Sequence, residues 1–256
     1  MKKIKIKDLP TRAPKKLKKE DIVKKTKKIT DRIRDLVTIM YANRKHSLLI
    51  VLQGMDSSGK DGVSRNVFSK VSPTMVSAYS FKKPTDEEFA HDFLWRAHKQ
   101  TPAKGEVKIF VRSHYEDILI QRVHNWIDSK RVTTRIHAIN AFENLLQDDN
   151  GTIVMKFFLN LSKERQKEKL IERIEETRKN YKHNDGDWEE RKHWDKYMKA
   201  YEDAINRSDI PWICVPADQR WYRNYYVAEK VLKRLESLKE SYPKLSETPN
   251  IDIENG

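Results

Sequence analysis

The chain has 256 residues, 38% of them hydrophobic and 35% charged, with a formal net charge of +14. That length fits one α/β domain with an elaborated lid, or at most two small domains, and the apolar share excludes global disorder. Its single cysteine, Cys214, excludes an intrachain disulfide, while the charge favours a polyanionic partner (nucleic acid, an acidic membrane or a phosphate-rich small molecule) over a merely basic surface.

Residues 1–20 are lysine-rich, carry Pro10 and Pro14, and read as a basic extended arm; without an apolar core they are no signal peptide. Ile22, Ile29, Ile33, Leu36 and Met40 recur at helical spacing and predict a helix over 21–44. Residues 47–52, leading to Gly54, have the all-apolar look of a buried parallel strand. Their aliphatic stretch is far shorter than the ~20 residues of a membrane span, so a cytoplasmic protein without membrane contact is expected. A helix over 59–70 and a strand over 75–81 should follow. Thr85 and Glu88 then form a capping box opening a helix with Phe89, Phe93, Leu94 and Ala97 on one face. A strand at 107–111, helices at 118–129 and 136–147, and a strand at 152–161 come next. The polar stretch 162–207 is expected as a helical lid: two helices joined by a turn near 184–186, the second opened by a capping box at Asp187 and Glu190. A strand at 212–215 and a helix at 222–238 complete a domain over 21–240, and 241–256 read as a loose tail. Strands alternating with helices predict a three-layer α/β/α fold around a parallel sheet.

Three of the seven glycines, Gly54, Gly59 and Gly62, fall within nine residues. Gly54, Met55, Asp56, Ser57, Ser58, Gly59 and Lys60 spell G-x-x-x-x-G-K directly after an apolar strand and before a helix, the context a P-loop (Walker A) requires. Glycines let the backbone turn tightly, so that successive N–H groups face phosphate oxygens; the helix N-terminus and Lys60 add positive charge. Asp61 stands where a Mg²⁺-binding Ser or Thr is usual, and Asp56 lies inside the loop. Two acids beside a phosphate cradle fit a carboxylate-held Mg²⁺ and disfavour an ordinary ATPase or GTPase.

After the 107–111 strand come Arg112, Ser113, His114, Tyr115, Glu116 and Asp117, which a doubly wound sheet would turn toward the phosphate loop. Arg112 is a candidate for a transferring phosphoryl group, and Asp117 or Glu116 for Mg²⁺ or a proton; acids that favour a helix dipole are the plainer alternative. Arg173, Arg178, Lys179, Lys182 and Arg191 are either a solvated helical face or lid cations closing over phosphates. Trp188, Trp194, Trp212 and Trp221 are read as packing the lid or the sheet edge, and the histidines show no zinc-ligand spacing with cysteine.

Segments 54–62 (GMDSSGKDG), 80–85 (SFKKPT), 91–96 (HDFLWR), 112–117 (RSHYED), 194–203 (WDKYMKAYED) and 211–218 (PWICVPAD) together resemble the family-2 polyphosphate kinases, in the same order, over about residues 30 to 238. The resemblance implies a thymidylate-kinase-like P-loop kinase with a helical lid, acting as a homo-oligomer (dimer or tetramer). It implies reversible phosphoryl transfer between inorganic polyphosphate and nucleoside mono- or diphosphates, with Mg²⁺ (or Mn²⁺) as cofactor. The RSHYED wording resembles the subgroup accepting both AMP and ADP; guanine nucleotides are a further expectation. By position, Asp56 and Lys60 match the Walker A acid and lysine, Asp117 the essential second acid, Arg112 the arginine beside it, and Arg178 and Lys182 lid cations, with Arg191 as another phosphate-binding candidate. Many relatives carry Asp or Asn where this chain has Val111, which shifts metal binding to Asp56 and Asp117.

The expected mechanism is direct in-line transfer without a covalent enzyme intermediate. Two rivals stay open on the residues alone: an ATP-dependent nucleotide or nucleoside kinase, disfavoured by Asp61, and a non-catalytic polyanion-binding module, disfavoured by Asp56 and Asp117 and by the lack of an aromatic-basic RNA signature.

Overall fold

The computed structural model describes residues 3–245. The elements are α1 (Lys19–Asn43), β1 (Ser47–Gln53), α2 (Lys60–Val67), β2 (Val76–Ser80), α3 (Asp86–Ala90), α4 (Trp95–His98), β3 (Val107–Val111), α5 (Glu116–Val123), α6 (Ser129–Asp148), β4 (Thr152–Asn160), α7 (Lys163–Glu175), α8 (Asp185–Lys192), α9 (Trp194–Asn206), β5 (Trp212–Pro216) and α10 (Arg220–Glu236). The five strands form one parallel sheet in the order β2-β3-β1-β4-β5.

Both faces of the sheet are covered, which is why β1 and β4 are buried along their whole length and carry no polar alternation. Leu48, Ile50 and Leu52 of β1 pack with α1, α2 and α10; Leu49 and Val51 pack with α5, α6 and α9 on the opposite face. The connection from β1 passes β3 to reach β2, whereas the connection from β3 passes β1 to reach β4, so the chain leaves these two neighbouring strands in opposite directions. The carboxyl ends of β1 and β3 therefore border the crevice where ligands bind in open α/β sheets. No described helix is long and apolar enough to cross a membrane.

Several local expectations change. The helix expected from the Thr85 box is two short ones: the box forms, with Thr85 Oγ1 accepting from the Glu88 amide at 3.2 Å and the Thr85 amide donating back at 3.1 Å, but His91 is extended. Asp92 Oδ1 then accepts from the Leu94 amide at 2.8 Å, the local bond by which a short acid ends one helix and starts another. Phe89 is consequently exposed rather than on a buried face. α2 stops at Val67 and α5 at Val123, where Asn125 takes a left-handed φ of 58°. The lid is α7, a 3₁₀ turn (Thr177–Lys182), α8 and α9; α8 is capped by Asn184, whose Oδ1 accepts from the Gly186 amide, so no capping box starts at Asp187.

Residues 3–18, expected as an extended arm, include a 3₁₀ turn (Ile6–Asp8) and are fastened down as a strap. Ile6 is buried, the Ile4 amide donates to Asn206 Oδ1 at 2.8 Å, and the Leu9 and Pro10 carbonyls accept from Asn160 Nδ2. The expected tail is exposed and without helix or strand over 241–245, and beyond that lies outside the described residues.

Candidate active site

The loop after β1 is shaped by its carbonyls. Gly54 and Gly59 have φ of 144° and 94°, and Ser57 has φ of 67°, a left-handed value that non-glycine residues seldom adopt away from functional sites. Three successive carbonyls are held by side chains from distant elements: Asp56 O accepts from Gln166 Nε2 at 3.1 Å, Ser57 O from Lys169 Nζ at 3.1 Å, and Ser58 O from Arg223 Nη1 at 3.0 Å. Carbonyls held on one side of a turning loop leave its amides for the other, the arrangement of an anion-binding nest. Ser57 Oγ and Ser58 Oγ are buried without a partner.

Lys60 opens α2 and folds back, its Nζ donating to Gly54 O at 2.7 Å and Met55 O at 3.2 Å; burial lowers its pKa against the pull of Asp56. At the end of β3, Arg112 has a φ of 59° and donates to Asp56 Oδ1 at 2.6 Å, joining the tips of two strands. Burial raises the Asp56 pKa, but Lys60 and Arg112 outweigh it and the carboxyl lies below its usual range. Glu116, the first residue of α5, feels Arg112, Lys60 and Asp56; burial raises its pKa despite the two cations.

A cavity of about 880 Å³ runs from this loop to the lid, lined by eleven lysines and arginines against five acids. Of the residues singled out from sequence, Asp56, Ser57, Gly59, Lys60, Asp61, Gly62, Arg112 and the lid cations Arg173, Lys179 and Lys182 line it. Gly54 and Met55 are buried beneath, Met55 within the core, and Ser58 is fully buried.

Three expected site residues are placed elsewhere. Asp117 does not line the cavity: its Oδ2 accepts from Arg96 Nη2 at 3.2 Å and its Oδ1 from Gln121 Nε2 at 2.7 Å, and burial raises its pKa against Arg96 and Arg135. Glu116, one residue earlier on the helix, points to the Lys60–Arg112 side instead, because residues one apart do not share a helix face. Arg178 is 83% exposed and paired with Glu176 at 3.0 Å. Arg191 fastens α8 to α7 through Lys163 O at 2.7 Å and Gln166 Oε1 at 2.8 Å.

Other residues enter unannounced by the sequence. Arg165 and Lys169 of α7 line the cavity; their four-residue spacing, continued by Arg173, was the available signal. Arg173 is paired with Asp187 of α8, whose pKa is raised by burial and by Asp56. Arg223 of α10 is buried, and its pKa is pushed down to about 10 by burial and Arg220. Nothing in its sequence neighbourhood signals that role.

No group of three or more His, Cys, Asp or Glu side chains suited to a metal ion exists among the described residues. A Mg²⁺ shared with substrate needs only one or two carboxylates, the remaining ligands being waters and phosphate oxygens. Asp56, ionised and on the cavity wall, fits that requirement.

The family model described as "Polyphosphate kinase 2 (PPK2)" matches residues 16–243. The chain is similar to the AMP/ADP-polyphosphate phosphotransferase of Meiothermus ruber, 44% identical over 215 residues, covering 83% of this chain and 80% of that protein. It is 40% identical over 228 residues to the ADP-polyphosphate phosphotransferase of Rhodopseudomonas palustris, covering 83% and 78%. The crystal structure of polyphosphate kinase 2 from Arthrobacter aurescens TC1 matches with a TM-score of 0.94 at 37% identity, covering 97% of this chain and 91% of that one. With its phosphate loop, parallel sheet and matching length, the chain belongs to the polyphosphate kinase 2 family, whose fold is that of a P-loop kinase.

Proposed function

We propose that this protein transfers phosphoryl groups between inorganic polyphosphate and adenine nucleotides, making ATP from ADP and ADP from AMP, in a reversible, Mg²⁺-dependent reaction. The observation that carries the reading is the cavity wall: a phosphate loop, Arg112 and lid cations meet in one space with a large excess of positive charge, suited to a chain of phosphates. The names of the two relatives above support the nucleotide acceptors.

A terminal phosphate oxygen of the acceptor attacks the terminal phosphorus of polyphosphate. The anhydride bond behind that phosphorus breaks, leaving a chain shorter by one unit, and no enzyme-bound phosphoryl group is needed. The loop amides and Lys60 hold phosphate oxygens once Lys60 exchanges its loop carbonyls for substrate. Arg112 swings its free guanidinium edge to the transferring group, and Lys182 with Arg173 covers it from the lid. Asp56 would hold Mg²⁺, which when bound neutralises charge on the bridging oxygens. Asp117 reaches the same ion only by giving up Arg96, and Arg178 reaches the phosphates only if the 3₁₀ turn closes inward. Guanine nucleotides as acceptors and assembly into a dimer or tetramer belong to the same proposal.

The test is incubation with polyphosphate, Mg²⁺ and a panel of nucleoside mono- and diphosphates without ATP, with products resolved by chromatography. ATP formed from ADP supports the reading; products only when ATP is the donor would replace it with a nucleotide kinase.

A further inference from the structure

A second, smaller groove of about 390 Å³ shares Arg165, Asp218 and Arg220 with the wall of the main cavity, so the two adjoin. Arg12 of the amino-terminal strap lines the groove and not the main cavity. Its neighbours on both sides are pinned to that groove: Thr11 O accepts from the Asp218 amide at 2.9 Å, and the Ala13 amide donates to Gln219 Oε1 at 2.8 Å. The guanidinium of Arg12 is thus presented from a fixed backbone.

Along α7, Arg165, Lys169 and Arg173 share one face over about 12 Å. Arg173 stands at the inner end by Asp187, Lys169 against the phosphate loop at Ser57, and Arg165 at the groove. Lys169 sits among Arg223, Arg165 and Arg220; burial and these three charges hold its ammonium down to about 7. Cations crowded so closely repel one another until an anion enters between them. The groove's two acids are already engaged, Asp218 with the Ser162 amide and hydroxyl at 2.8 and 3.0 Å, Glu168 with Arg165 at 2.5 Å.

Building on the polyphosphate reading above, we infer that Lys169, Arg165, Arg220 and Arg12 form a distal phosphate track by which a long polyphosphate chain leaves the catalytic cavity, and that Arg12 makes binding depend on chain length. A chain too short to reach the groove does not meet Arg12; a longer one does, and gains its contact.

The test compares wild-type protein with Arg12→Gln on a short oligophosphate and on long-chain polyphosphate. Steady-state KM is measured for both chains, and binding of the labelled long chain is followed by fluorescence anisotropy across a salt series. For the long chain, the variant should show a KM about fivefold to tenfold higher, and a log–log salt slope smaller in magnitude by about 0.7 to 1, the loss of one phosphate contact. For the short chain its KM should stay within about twofold of wild type. Arg165→Gln, nearer the cavity, should weaken long chains at least as much. Equal KM shifts for both lengths, or an unchanged salt slope, overturn the track while leaving the proposed reaction standing. Wild-type protein that turns over neither chain overturns both readings.

Discussion

A Cβ placed on Gly59 would lie 1.9 Å from Nη1 of Arg223, so the closing glycine of the phosphate loop and an arginine from the last helix occupy adjoining space that admits no side chain. The same guanidinium nitrogen donates to Ser58 O at 3.0 Å, and Gly59 itself has a φ of 94°. The loop is therefore moulded against α10, and its shape depends on a residue more than 160 positions away.

Gly59→Ala should displace Arg223 and strain the backbone together, costing about 1 to 3 kcal/mol of stability in a urea titration. Arg223→Met should leave the fold intact, since that guanidinium is buried beside no carboxylate that would be stranded, yet lower kcat/KM for polyphosphate by about a hundredfold by releasing the loop. A Met variant with wild-type kinetics would show that the Ser58 contact does not shape the cradle.

Lys169 links activity to pH. Its ammonium, pushed down to about 7 by burial and by Arg223, Arg165 and Arg220, is charged below that pH and neutral above it. Phosphate binding favours the charged form, so affinity for polyphosphate should fall by about tenfold from about pH 6.5 to about pH 8.5, with proton uptake on binding at the higher pH. The unfolded chain, with an ordinary lysine, binds more protons between these values, so this group makes the free protein more stable as pH rises through about 7. Calorimetric titration in buffers of different ionisation enthalpy reads the proton uptake, and Lys169→Met should abolish this component.

The face of the sheet opposite α1 buries an ionic network. Lys156 Nζ donates to Glu143 Oε2 at 2.5 Å and to Tyr115 Oη at 2.7 Å, and His114 Nε2 lies 3.2 Å from Glu143 Oε1, with Lys156, Glu143 and His114 all fully buried. Removing one charge leaves the other uncompensated, so Lys156→Met should cost about 3 to 5 kcal/mol, whereas Lys156→Met with Glu143→Leu should recover much of that loss. Denaturation midpoints of the two variants check it; equal losses would mean that packing, not charge, dominates.

The two aspartates should separate by their partners. Asp56→Asn removes the carboxylate on the cavity wall and should lower turnover by at least a hundredfold with a small change in melting temperature. Asp117→Asn weakens the buried contact to Arg96 and should lower the melting temperature as well as turnover. If Asp117 also reaches the metal, its variant raises the Mg²⁺ concentration needed for half-maximal rate; if it only holds Arg96, that concentration stays unchanged.

The sequence by itself determined the parts whose chemistry is contiguous. A phosphate loop must place its glycines, acid and lysine within one turn between a strand and a helix, so residues 54–62 disclose it without a fold. Buried parallel strands betray themselves through apolar runs, unbroken in β1 and interrupted in β4 only by Lys156, because helices cover both faces. What only the tertiary structure decided was which charges meet. Neighbours on a short helix look alike in sequence, yet the turn of α5 sends Glu116 toward Lys60 and Arg112 and gives Asp117 to Arg96. Among the lid cations, Lys182 reaches the cavity while Arg178 faces outward and Arg191 ties two helices together. Arg12 and Arg223 lie far apart in the chain and come to the groove and the loop because the strap is tied to Asp218 after β5 while the start of α10 reaches Ser58. Electrostatic contacts depend on distance in space, which sequence spacing encodes only within an element; between elements, packing sets it.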